Sequence, residues 1–493
     1  MTKILMVTSS FEENTTPAYS DRERCLDHVD ASSYPLGIPY LHSYMESKGH
    51  EVRSLFMNSF SWELCFNDVA KALEEFQPDI VGFQMLTQNR VSTYRLMEYL
   101  HEKYPRIRIV AGGVHASIMY EQLVKKYPYL TIVIGEGEIT FAELVKALEE
   151  GRELTNVDGL AFSRGGQVVK TRQRPLIENL DMLPFPKHEI YFTRNRTHAN
   201  ILTSRGCPCR CSFCALDSIS LGVNRTRSVR NVIEEIEELI RKYPNLKMVW
   251  MQDDTFFLNN ERVIEFCDEV VKRGIKLEFV CSGRIKPFTG KMAKKLEEAN
   301  FRKIMFGLES GVDSILIRAH KGITQKTVLE TFEIISKTKI PEVSCFLIVG
   351  LPGETEKTVL ETANFVRRLQ RMKYVVYSDI SVLMVYPGTE IYNLMKEKGQ
   401  ISDDLWLTDA ITPFYEVEHS LDELLRYKKM LLDRIAFDRI LTWDAIRVQW
   451  TMAPYGLSYM ARFGWNRRRS VASKIASEMA RKIPFLGKKH ATS

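Results

Sequence analysis

The chain has no long uninterrupted apolar run and few cysteines for its length. In 493 residues, no apolar run approaches the roughly 20 residues that a helix needs to cross a bilayer, which argues against an integral membrane protein. The nine cysteines are scattered and we find no secretory signal, so we expect a reducing cytoplasm and no disulfide framework. With 45% hydrophobic and 26% charged residues, the composition indicates a globular protein of about two or three domains.

Net positive charge is also scarce outside one short segment. The formal net charge is +6, yet the stretch from Arg462 to Lys489 alone holds nine basic residues and one acidic residue. The rest of the chain is therefore slightly acidic, which argues against a nucleic-acid-binding surface spread over the whole protein. Apolar residues recur at four-residue spacing in this basic tail, a pattern that fits either an anionic membrane surface or a solvated terminal helix.

Four cysteines stand close together in the run Arg205-Gly206-Cys207-Pro208-Cys209-Arg210-Cys211-Ser212-Phe213-Cys214, and three of them have a recognisable spacing. The spacing of Cys207, Cys211 and Cys214 is C-x3-C-x2-C, so three thiolates could hold three irons of a [4Fe–4S] cluster and leave the fourth iron open. Zinc normally takes four ligands, often as two separated pairs, and no second pair follows here. Cys209 lies between two ligands in a tight loop, and we interpret it as a non-ligand.

This spacing, with Phe213 directly before the last cysteine, resembles the hallmark of the radical S-adenosylmethionine enzymes. The resemblance implies that the open iron binds the amino and carboxylate groups of S-adenosylmethionine. It also implies that one electron from the cluster cleaves this cofactor to a 5′-deoxyadenosyl radical, which abstracts hydrogen from an unactivated carbon. We assign no catalytic residue beyond the cluster ligands, because the cofactors carry this chemistry.

Around and beyond the cysteines, apolar strands alternate with amphipathic helices, as in a parallel α/β barrel. A short strand at 199–204 precedes the cysteines, and five more are predicted at Lys247–Met251, Leu277–Cys281, Lys303–Gly307, Ser344–Val349 and Ile380–Val385. Six strand–helix steps are too few for a closed eight-stranded barrel. We therefore predict a partial (β/α)6 barrel with one side open to a large substrate.

Polar residues cluster where these strands end, which is the face that carries the chemistry in such barrels. The family resemblance implies that Asp253 or Asp254 approaches the methionine ammonium, and that Arg284 binds the methionine carboxylate or the ribose. The other predicted contacts to S-adenosylmethionine are Ser282, Glu309 and Ile348. Asp254 or Asn259 could instead be the N-cap of the following helix, and both interpretations stay open.

The first 150 residues alternate buried strands with amphipathic helices, which predicts a doubly wound, flavodoxin-like α/β domain of about five strands. Such domains bind ligands at the carboxyl ends of their strands, where paired glycines let a ligand approach the backbone. The loops at these ends resemble those of the cobalamin-binding domain of many radical enzymes. The resemblance assigns the cobalamin contacts to Thr87, Gly112, Gly113, Gly135, Glu136 and Gly137.

One motif of other cobalamin-binding domains is absent. An Asp-x-His-x-x-Gly motif would follow the first strand, whereas Asp27 and His28 are adjacent here. Radical relatives commonly lack the motif too, which implies that cobalt receives no histidine ligand from this domain. A flavodoxin-like domain that binds another ligand, or none, stays open as an alternative. We interpret His115 as a residue at the rim of the site and not as a cobalt ligand.

These patterns divide the chain into four parts. Residues 1–150 are predicted to form the cobalamin-binding domain, 151–190 a β-rich connector, 191–415 the radical S-adenosylmethionine barrel, and 416–493 a helical region with the basic tail. We expect the helical region to pack against the barrel mouth. The predicted location is the cytoplasm, at the inner face of the membrane if the tail binds lipid.

The sequence thus predicts a cobalamin-dependent radical enzyme that uses a [4Fe–4S] cluster and S-adenosylmethionine, most simply as a C-methyltransferase. Lipids, tetrapyrroles and natural products are the candidate substrates, and no loop identifies one of them. Two alternatives stay open: ring closure or oxidation of a tetrapyrrole without methyl transfer, and a non-catalytic cobalamin or redox sensor. The expected partners are a small-molecule or lipid substrate and an electron donor such as flavodoxin or ferredoxin, without nucleic acid.

Overall fold

The computed structural model of this chain describes residues 1–11, 34–57, 61–191, 196–373 and 375–436, and for residues 375–379 the backbone alone. The basic tail, most of the predicted C-terminal helical region, and Asp27 with His28 lie outside the described residues. Each helix in the described ranges is too short or too polar to traverse a bilayer.

Seven strands of the N-terminal part form one sheet. They are β1 (Lys3–Thr8), β2 (Glu51–Phe56), β3 (Ile80–Gln84), β4 (Arg108–Gly112), β5 (Thr131–Val133), β6 (Leu160–Arg164) and β7 (Gln167–Lys170). Their order is β2-β1-β3-β4-β5-β6-β7; the first five are parallel, and β6 and β7 form an antiparallel hairpin on the β5 edge. The hairpin is the predicted β-rich connector, which therefore extends the first sheet.

Helices cover both faces of this sheet because its strands are apolar on both sides. Leu5 and Val7 of β1 belong to one buried core, and Ile4 and Met6 belong to the core on the opposite face, as the alternation of side chains along a strand requires. The helices are α1 (Gly37–Ser47), α2 (Trp62–Phe76), α3 (Arg90–Lys103), α4 (Val114–Ile118), α5 (Tyr120–Lys126) and α6 (Gly137–Glu149). The chain order reverses between β1 and β3, which is where doubly wound domains bind ligands. The predicted flavodoxin-like fold is confirmed.

The second sheet is a parallel half-barrel. Its strands are β8 (His198–Ile201), β11 (Met248–Met251), β12 (Glu278–Gly283), β13 (Phe301–Glu309), β14 (Glu342–Val349) and β15 (Val375–Val382), paired in this sequential order. A two-stranded ribbon of β9 (Ser204–Arg205) and β10 (Arg225–Thr226) lies between β8 and β11 in the chain and encloses the cysteine-rich loop. The predicted six-stranded partial barrel is confirmed.

Capped helices connect the strands of the half-barrel. They are α7 (Asp217–Ser220), α8 (Val229–Lys242), α9 (Asn260–Lys272), α10 (Gly290–Glu298), α11 (Asp313–Arg318), α12 (Gln325–Ser336) and α13 (Glu356–Met372), followed by α14 (Glu390–Glu397) and α15 (Leu421–Ala436). At the start of most of the longer helices, a Ser, Thr or Asn side chain accepts a hydrogen bond from a backbone N–H group that has no partner within the helix. Asn259 caps α9 by accepting from the Arg262 N–H, so the capping role belongs to Asn259 and not to Asp254.

The segment after α14 that contains Trp406 and Leu407 attaches the barrel to the N-terminal domain. Residues 1–434 form one compact unit. Trp406 is fully buried in an apolar core to which both sheets contribute. The Arg90 guanidinium lies 5.3 Å from the centre of the Trp406 ring, and the Tyr94 hydroxyl donates to the Trp406 carbonyl (2.9 Å). Lys126 Nζ donates to the carbonyl of Leu407 (2.6 Å). The two sheets and their helices are therefore held together by burial as well as by the connector.

Candidate cofactor sites

The cysteine-rich loop begins directly after β9 and is held from several sides. The N–H of Gly206 donates to Asp254 Oδ2 (2.8 Å), and its carbonyl accepts from Asn224 Nδ2 (2.7 Å). Further along, the N–H of Ser212 donates to the carbonyl of Ala319 at the end of α11 (3.1 Å). These bonds attach the loop to strand and helix ends of the barrel, and so define where the cysteines lie.

Cys207, Cys211 and Cys214 all have half-buried side chains in this loop. Among the described residues, no three Cys, His, Asp or Glu side chains converge on a single metal-ion position. Each thiolate of a [4Fe–4S] cluster binds a different iron, so three cysteines on one loop match the three protein ligands of such a cluster.

Cys209 lies beside Cys207, the first of the three predicted ligands. The neighbouring Cys207 side chain lowers the pKa of Cys209. Burial raises the pKa of Cys214, so the cysteines of the loop have different surroundings. Cys209 is consequently the cysteine to test as a control for the three predicted ligands.

We expect Gly206→Ala to disrupt the loop. Gly206 has a φ of +86°, and an added Cβ would lie 2.2 Å from the carbonyl oxygen of Val223, so the backbone would have to shift. We predict a loss of about 1–3 kcal/mol in the free energy of unfolding, together with a loss of reconstituted iron, measured by urea unfolding and iron assay. Gly274→Ala is the matched control, because Gly274 has a φ of +64° and an added Cβ there meets nothing within 4 Å. Equal losses in the two variants would contradict the prediction.

Asp253 and Asp254 are adjacent after β11 but face different groups. Asp253 is buried, and its carboxylate accepts from the Thr203 N–H (2.6 Å), the Thr203 hydroxyl and Ser204 Oγ (2.8 Å). Burial raises the pKa of Asp253, and these hydrogen bonds partly offset that effect. The Asp254 side chain is exposed beside the cysteine loop. Neighbouring groups still remove part of its hydration, and this desolvation raises the pKa of Asp254 too. The geometry favours Asp254 as the carboxylate that a ligand can reach.

We expect Asp254→Asn to weaken S-adenosylmethionine binding by about 10–100-fold, because a hydrogen bond to a charged group contributes about 1.5–3 kcal/mol. Isothermal titration of anaerobically reconstituted protein measures the affinity. Asp253→Asn is the matched control: its partners belong to the protein, so we expect a lower unfolding temperature and a nearly unchanged affinity. The opposite pattern would refute the assignment of Asp254.

Three charged side chains meet at the ends of β12 and β13. Arg284 Nη1 lies 3.8 Å from Cys211 Sγ, and its Nη2 donates to the carbonyl of Lys321. Lys321 Nζ donates to Glu309 Oε1 (2.7 Å), and both side chains are buried. An added Cβ at Gly307 would lie 2.5 Å from Glu309 Oε1, so this glycine makes room for the pair. Lys321 was not predicted, since no local motif connects it to Glu309.

Ser282 and Ile348 complete the predicted contacts to S-adenosylmethionine. Ser282 Oγ donates to the carbonyl of Asp253 (3.3 Å), so this hydroxyl has a partner within the protein. Ile348 lies near the end of β14 with a half-buried side chain that packs against the shared apolar core. All six predicted residues therefore lie at the carboxyl ends of β11, β12, β13 and β14, the edge from which polar groups also reach the cysteine loop.

A cavity of about 240 Å³ opens at the carboxyl edge of the first sheet. Residues of β1, β3, β4 and β5 line it, together with the starts of α1 and α6. Its wall contains Gly37, Gly82, Gly112, Gly113, Gly135 and Gly137. An added Cβ at Gly82 or Gly112 would meet no atom closer than 3.6 Å, so the missing side chains widen the cavity. Such a wide, mostly apolar cleft fits a bulky ring system that approaches the backbone, as the nucleotide portion of cobalamin would.

Thr87, which was predicted to contact cobalamin, is not among the residues that line this cavity. Its hydroxyl forms a hydrogen bond with His115 Nδ1 (3.1 Å), and His115 Nε2 forms one with the Tyr94 hydroxyl (3.3 Å). His115 is fully buried, and burial lowers its pKa to about 3, so the ring is neutral at physiological pH. His115 is therefore a paired core histidine, and its predicted position at the rim of the site is wrong.

The carboxylates of Glu136 and Glu138 bind two arginines of the β9–β10 ribbon. Arg205 donates to Glu136 Oε1 (3.1 Å) and to Glu138 Oε1 (2.6 Å), and Arg225 donates to both oxygens of Glu136 (2.8 and 3.0 Å). These four side chains are between 6% and 17% exposed. Glu136, predicted to contact cobalamin, thus lines the cavity but directs its carboxylate toward the barrel. Neither arginine was predicted, and the place of Arg205 directly before the cysteine loop was the available signal.

Comparisons with known proteins agree with this geometry. The Radical SAM superfamily matches residues 201–366, and the B12 binding domain matches residues 25–145. The chain is 31% identical over 408 residues to an uncharacterized methyltransferase of Pyrococcus horikoshii, which covers 80% of this chain and 86% of that protein. It is 28% identical over 331 residues to the anaerobic magnesium-protoporphyrin IX monomethyl ester cyclase of Rubrivivax gelatinosus, which covers 64% of this chain and 59% of the cyclase.

Two solved structures share the fold. The cobalamin-dependent S-adenosylmethionine radical enzyme OxsB, with aqua-cobalamin and S-adenosylmethionine bound, matches with a TM-score of 0.67 at 20% identity over 82% of this chain and 62% of OxsB. The radical S-adenosylmethionine methyltransferase TsrM from Kitasatospora setae matches with a TM-score of 0.65 at 19% identity over 81% of this chain and 76% of TsrM. At these identities the likeness concerns the architecture.

Proposed function

This chain belongs to the cobalamin-binding radical S-adenosylmethionine enzymes, and from this premise we propose that it is a C-methyltransferase acting on an unactivated carbon of a small-molecule or lipid substrate. Its cofactors are a [4Fe–4S] cluster, S-adenosylmethionine and cobalamin. One observation carries the proposal: Arg205 lines the cavity of the first sheet, and Cys207 follows it by two residues. The two cofactor sites therefore share a boundary. The methyltransferase name of the Pyrococcus horikoshii relative supports the reaction class.

The proposal assigns each cofactor to residues described above. Cys207, Cys211 and Cys214 would hold the cluster. Asp254 would accept from the methionine ammonium, and Arg284 would bind the methionine carboxylate, because each has the complementary charge. Glu309 and Ser282 would approach the ribose, and Ile348 the adenine. Gly112, Gly113, Gly135, Glu136 and Gly137 would contact cobalamin.

When bound, the cluster and S-adenosylmethionine supply a hydrogen-abstracting radical, and methylcobalamin supplies a methyl group. The residues of the chain bind and orient these groups and keep water away. Lys321 holds the Glu309 carboxylate in one orientation, and the buried pair keeps an unpaired charge out of the site. Phe213 and Ile348 pack against the apolar core shared by the two sheets. This core limits the access of solvent to the proposed S-adenosylmethionine site. An electron donor such as flavodoxin or ferredoxin is the proposed partner.

The similarity to the Rubrivivax gelatinosus cyclase favours a second candidate, in which the same cofactors close or oxidise a tetrapyrrole ring without methyl transfer. The mass of the product distinguishes the two reactions, because methylation adds one methylene and cyclisation does not. No observation favours a non-catalytic sensor.

The test is anaerobic purification followed by reconstitution with iron, sulfide and hydroxocobalamin. Absorbance and mass spectrometry then identify the bound cofactors, and reduction in the presence of S-adenosylmethionine should release 5′-deoxyadenosine. A protein that binds no cobalamin, or that releases no 5′-deoxyadenosine when its cluster is reduced, would refute the proposal.

A further inference from the structure

We propose that Arg205 is a positioning residue that couples occupancy of the cobalamin cavity to the arrangement of the cysteine-rich loop. The inference rests on the proposed function and deepens it, because it names the connection between two cofactor sites. Arg205 is argued to act through its neighbours, and it is assigned no contact with the reacting atoms.

On one side, Arg205 forms part of the cavity wall. Its guanidinium lies 4.9 Å from the centre of the Tyr40 ring, and Tyr40 lines the same cavity. The guanidinium also binds Glu136, directly before α6, and Glu138, in the first turn of α6; both residues line the cavity. A ring system that fills the cavity must therefore pack against a wall whose position Arg205 helps to set.

On the other side, the backbone of Arg205 leads directly into the loop. Arg205 pairs with Arg225 across the two-stranded ribbon, and the next residue, Gly206, donates to Asp254. Gly206 packs closely against the neighbouring backbone, since an added Cβ there would lie 2.2 Å from the carbonyl of Val223. A displacement of Arg205 would thus reach Asp254, the proposed ligand of S-adenosylmethionine, and Cys207.

The charges around Arg205 favour one arrangement. Two arginines and two glutamates balance in a nearly buried cluster, and Arg225 also donates to the carbonyl of Ile177 in the connector (2.7 Å). The Ile177 N–H donates to Glu136 Oε2 (2.8 Å), so three parts of the chain meet at one carboxylate. Separating such a cluster leaves unpaired buried charge, which is strongly unfavourable. The cluster therefore acts as a stiff connection between the cavity and the cysteine loop.

Thermodynamic linkage makes this connection measurable as the ratio of the cobalamin affinities with and without S-adenosylmethionine. If cobalamin and S-adenosylmethionine both favour the same position of Arg205, each must tighten the binding of the other by the same factor. We expect S-adenosylmethionine to tighten hydroxocobalamin binding to full-length, cluster-loaded protein by about fivefold or more. Anaerobic absorbance titrations with and without S-adenosylmethionine give this ratio without any substrate.

The central variant is Arg205→Lys, which keeps the positive charge but loses the planar fork that binds two carboxylates. We expect the ratio to fall to about one and the unfolding temperature to be lower, because Lys cannot bind both buried carboxylates. Iron content reports whether the cluster is still bound. Arg174→Lys is the matched control, because Arg174 is a similarly buried arginine that pairs with Glu143 and does not line the cobalamin cavity. This control should keep the wild-type ratio.

Glu138→Gln provides a second variant with nearly unchanged shape, should Arg205→Lys lose its cluster or unfold. It removes the negative charge of one partner of Arg205, and we expect it also to lower the ratio toward one. The inference is overturned if the wild type shows no tightening, or if both variants retain it. Wild-type protein that binds no cobalamin would overturn the proposed function as well, whereas cobalamin binding without coupling would refute this inference alone.

Discussion

Replacement of Cys207, Cys211 or Cys214 by alanine is expected to abolish cleavage of S-adenosylmethionine. Each cysteine is the proposed ligand of a different iron, so each single loss leaves two thiolates for a cluster that needs three. Loss of a group that hydrogen-bonds to a metal ligand already lowers metal affinity or activity by about 10–100-fold. Loss of the ligand itself should lower it by more than about 100-fold. Iron and sulfide content, electron paramagnetic resonance of the reduced cluster, and 5′-deoxyadenosine by mass spectrometry measure the effect.

Cys209→Ala is the matched control for these three variants. Cys209 belongs to the same loop as the three predicted ligands, but it lies outside the C-x3-C-x2-C spacing. We expect this variant to keep its iron and its cleavage activity. A loss as large as that of Cys207→Ala would make Cys209 a ligand and would reopen the interpretation as a zinc site.

Gly112→Phe is expected to weaken cobalamin binding by about 100-fold or more, because a bulky side chain would occupy the space that the ligand needs. An added Cβ at Gly112 lies no closer than 3.6 Å to Val133, so the protein accommodates the Cβ of the introduced Phe. Since Gly112 lines the cavity, the phenyl ring would then extend into the cavity. Absorbance titration with hydroxocobalamin measures the affinity, and iron content reports whether the cluster is still bound.

Gly290→Phe is the control for bulk alone. Gly290 begins α10, and an added Cβ there meets nothing within 4 Å. This variant should bind cobalamin with the wild-type affinity, and both variants should keep their clusters. If Gly112→Phe also binds cobalamin normally, the cavity of the first sheet is not the cobalamin site.

Much of the fold could be predicted because strands and helices have local periodicities. Apolar segments separated by amphipathic helices predicted the parallel strands of both sheets, and short apolar segments of this kind suit strands covered on both faces. The cysteine loop could be predicted for a similar reason, since its three proposed ligands lie within eight residues of one another. The attachment of the connector hairpin to the β5 edge could not, because no local pattern states which edge a strand will join.

The sequence could predict the candidate sites only where the residues involved are close to one another in the chain. Asp253 and Asp254 were indistinguishable in sequence, and only the fold buries the first against Thr203 and leaves the second exposed beside the loop. The Lys321–Glu309 pair likewise depends on how α11 and its following turn pack against β13.

The sequence by itself determined the local chemistry: three thiolates at cluster spacing, and glycines after neighbouring strands. Tertiary structure alone decided which charges meet. Arg205 and Arg225 reach Glu136 across 69 and 89 positions of the chain, from a ribbon of the barrel to a loop of the other domain. Charges so far apart in sequence become partners only when the packing of the two sheets buries them at a common boundary. There an unpaired charge is too unfavourable to persist, so the packing of the domains selects the pairs.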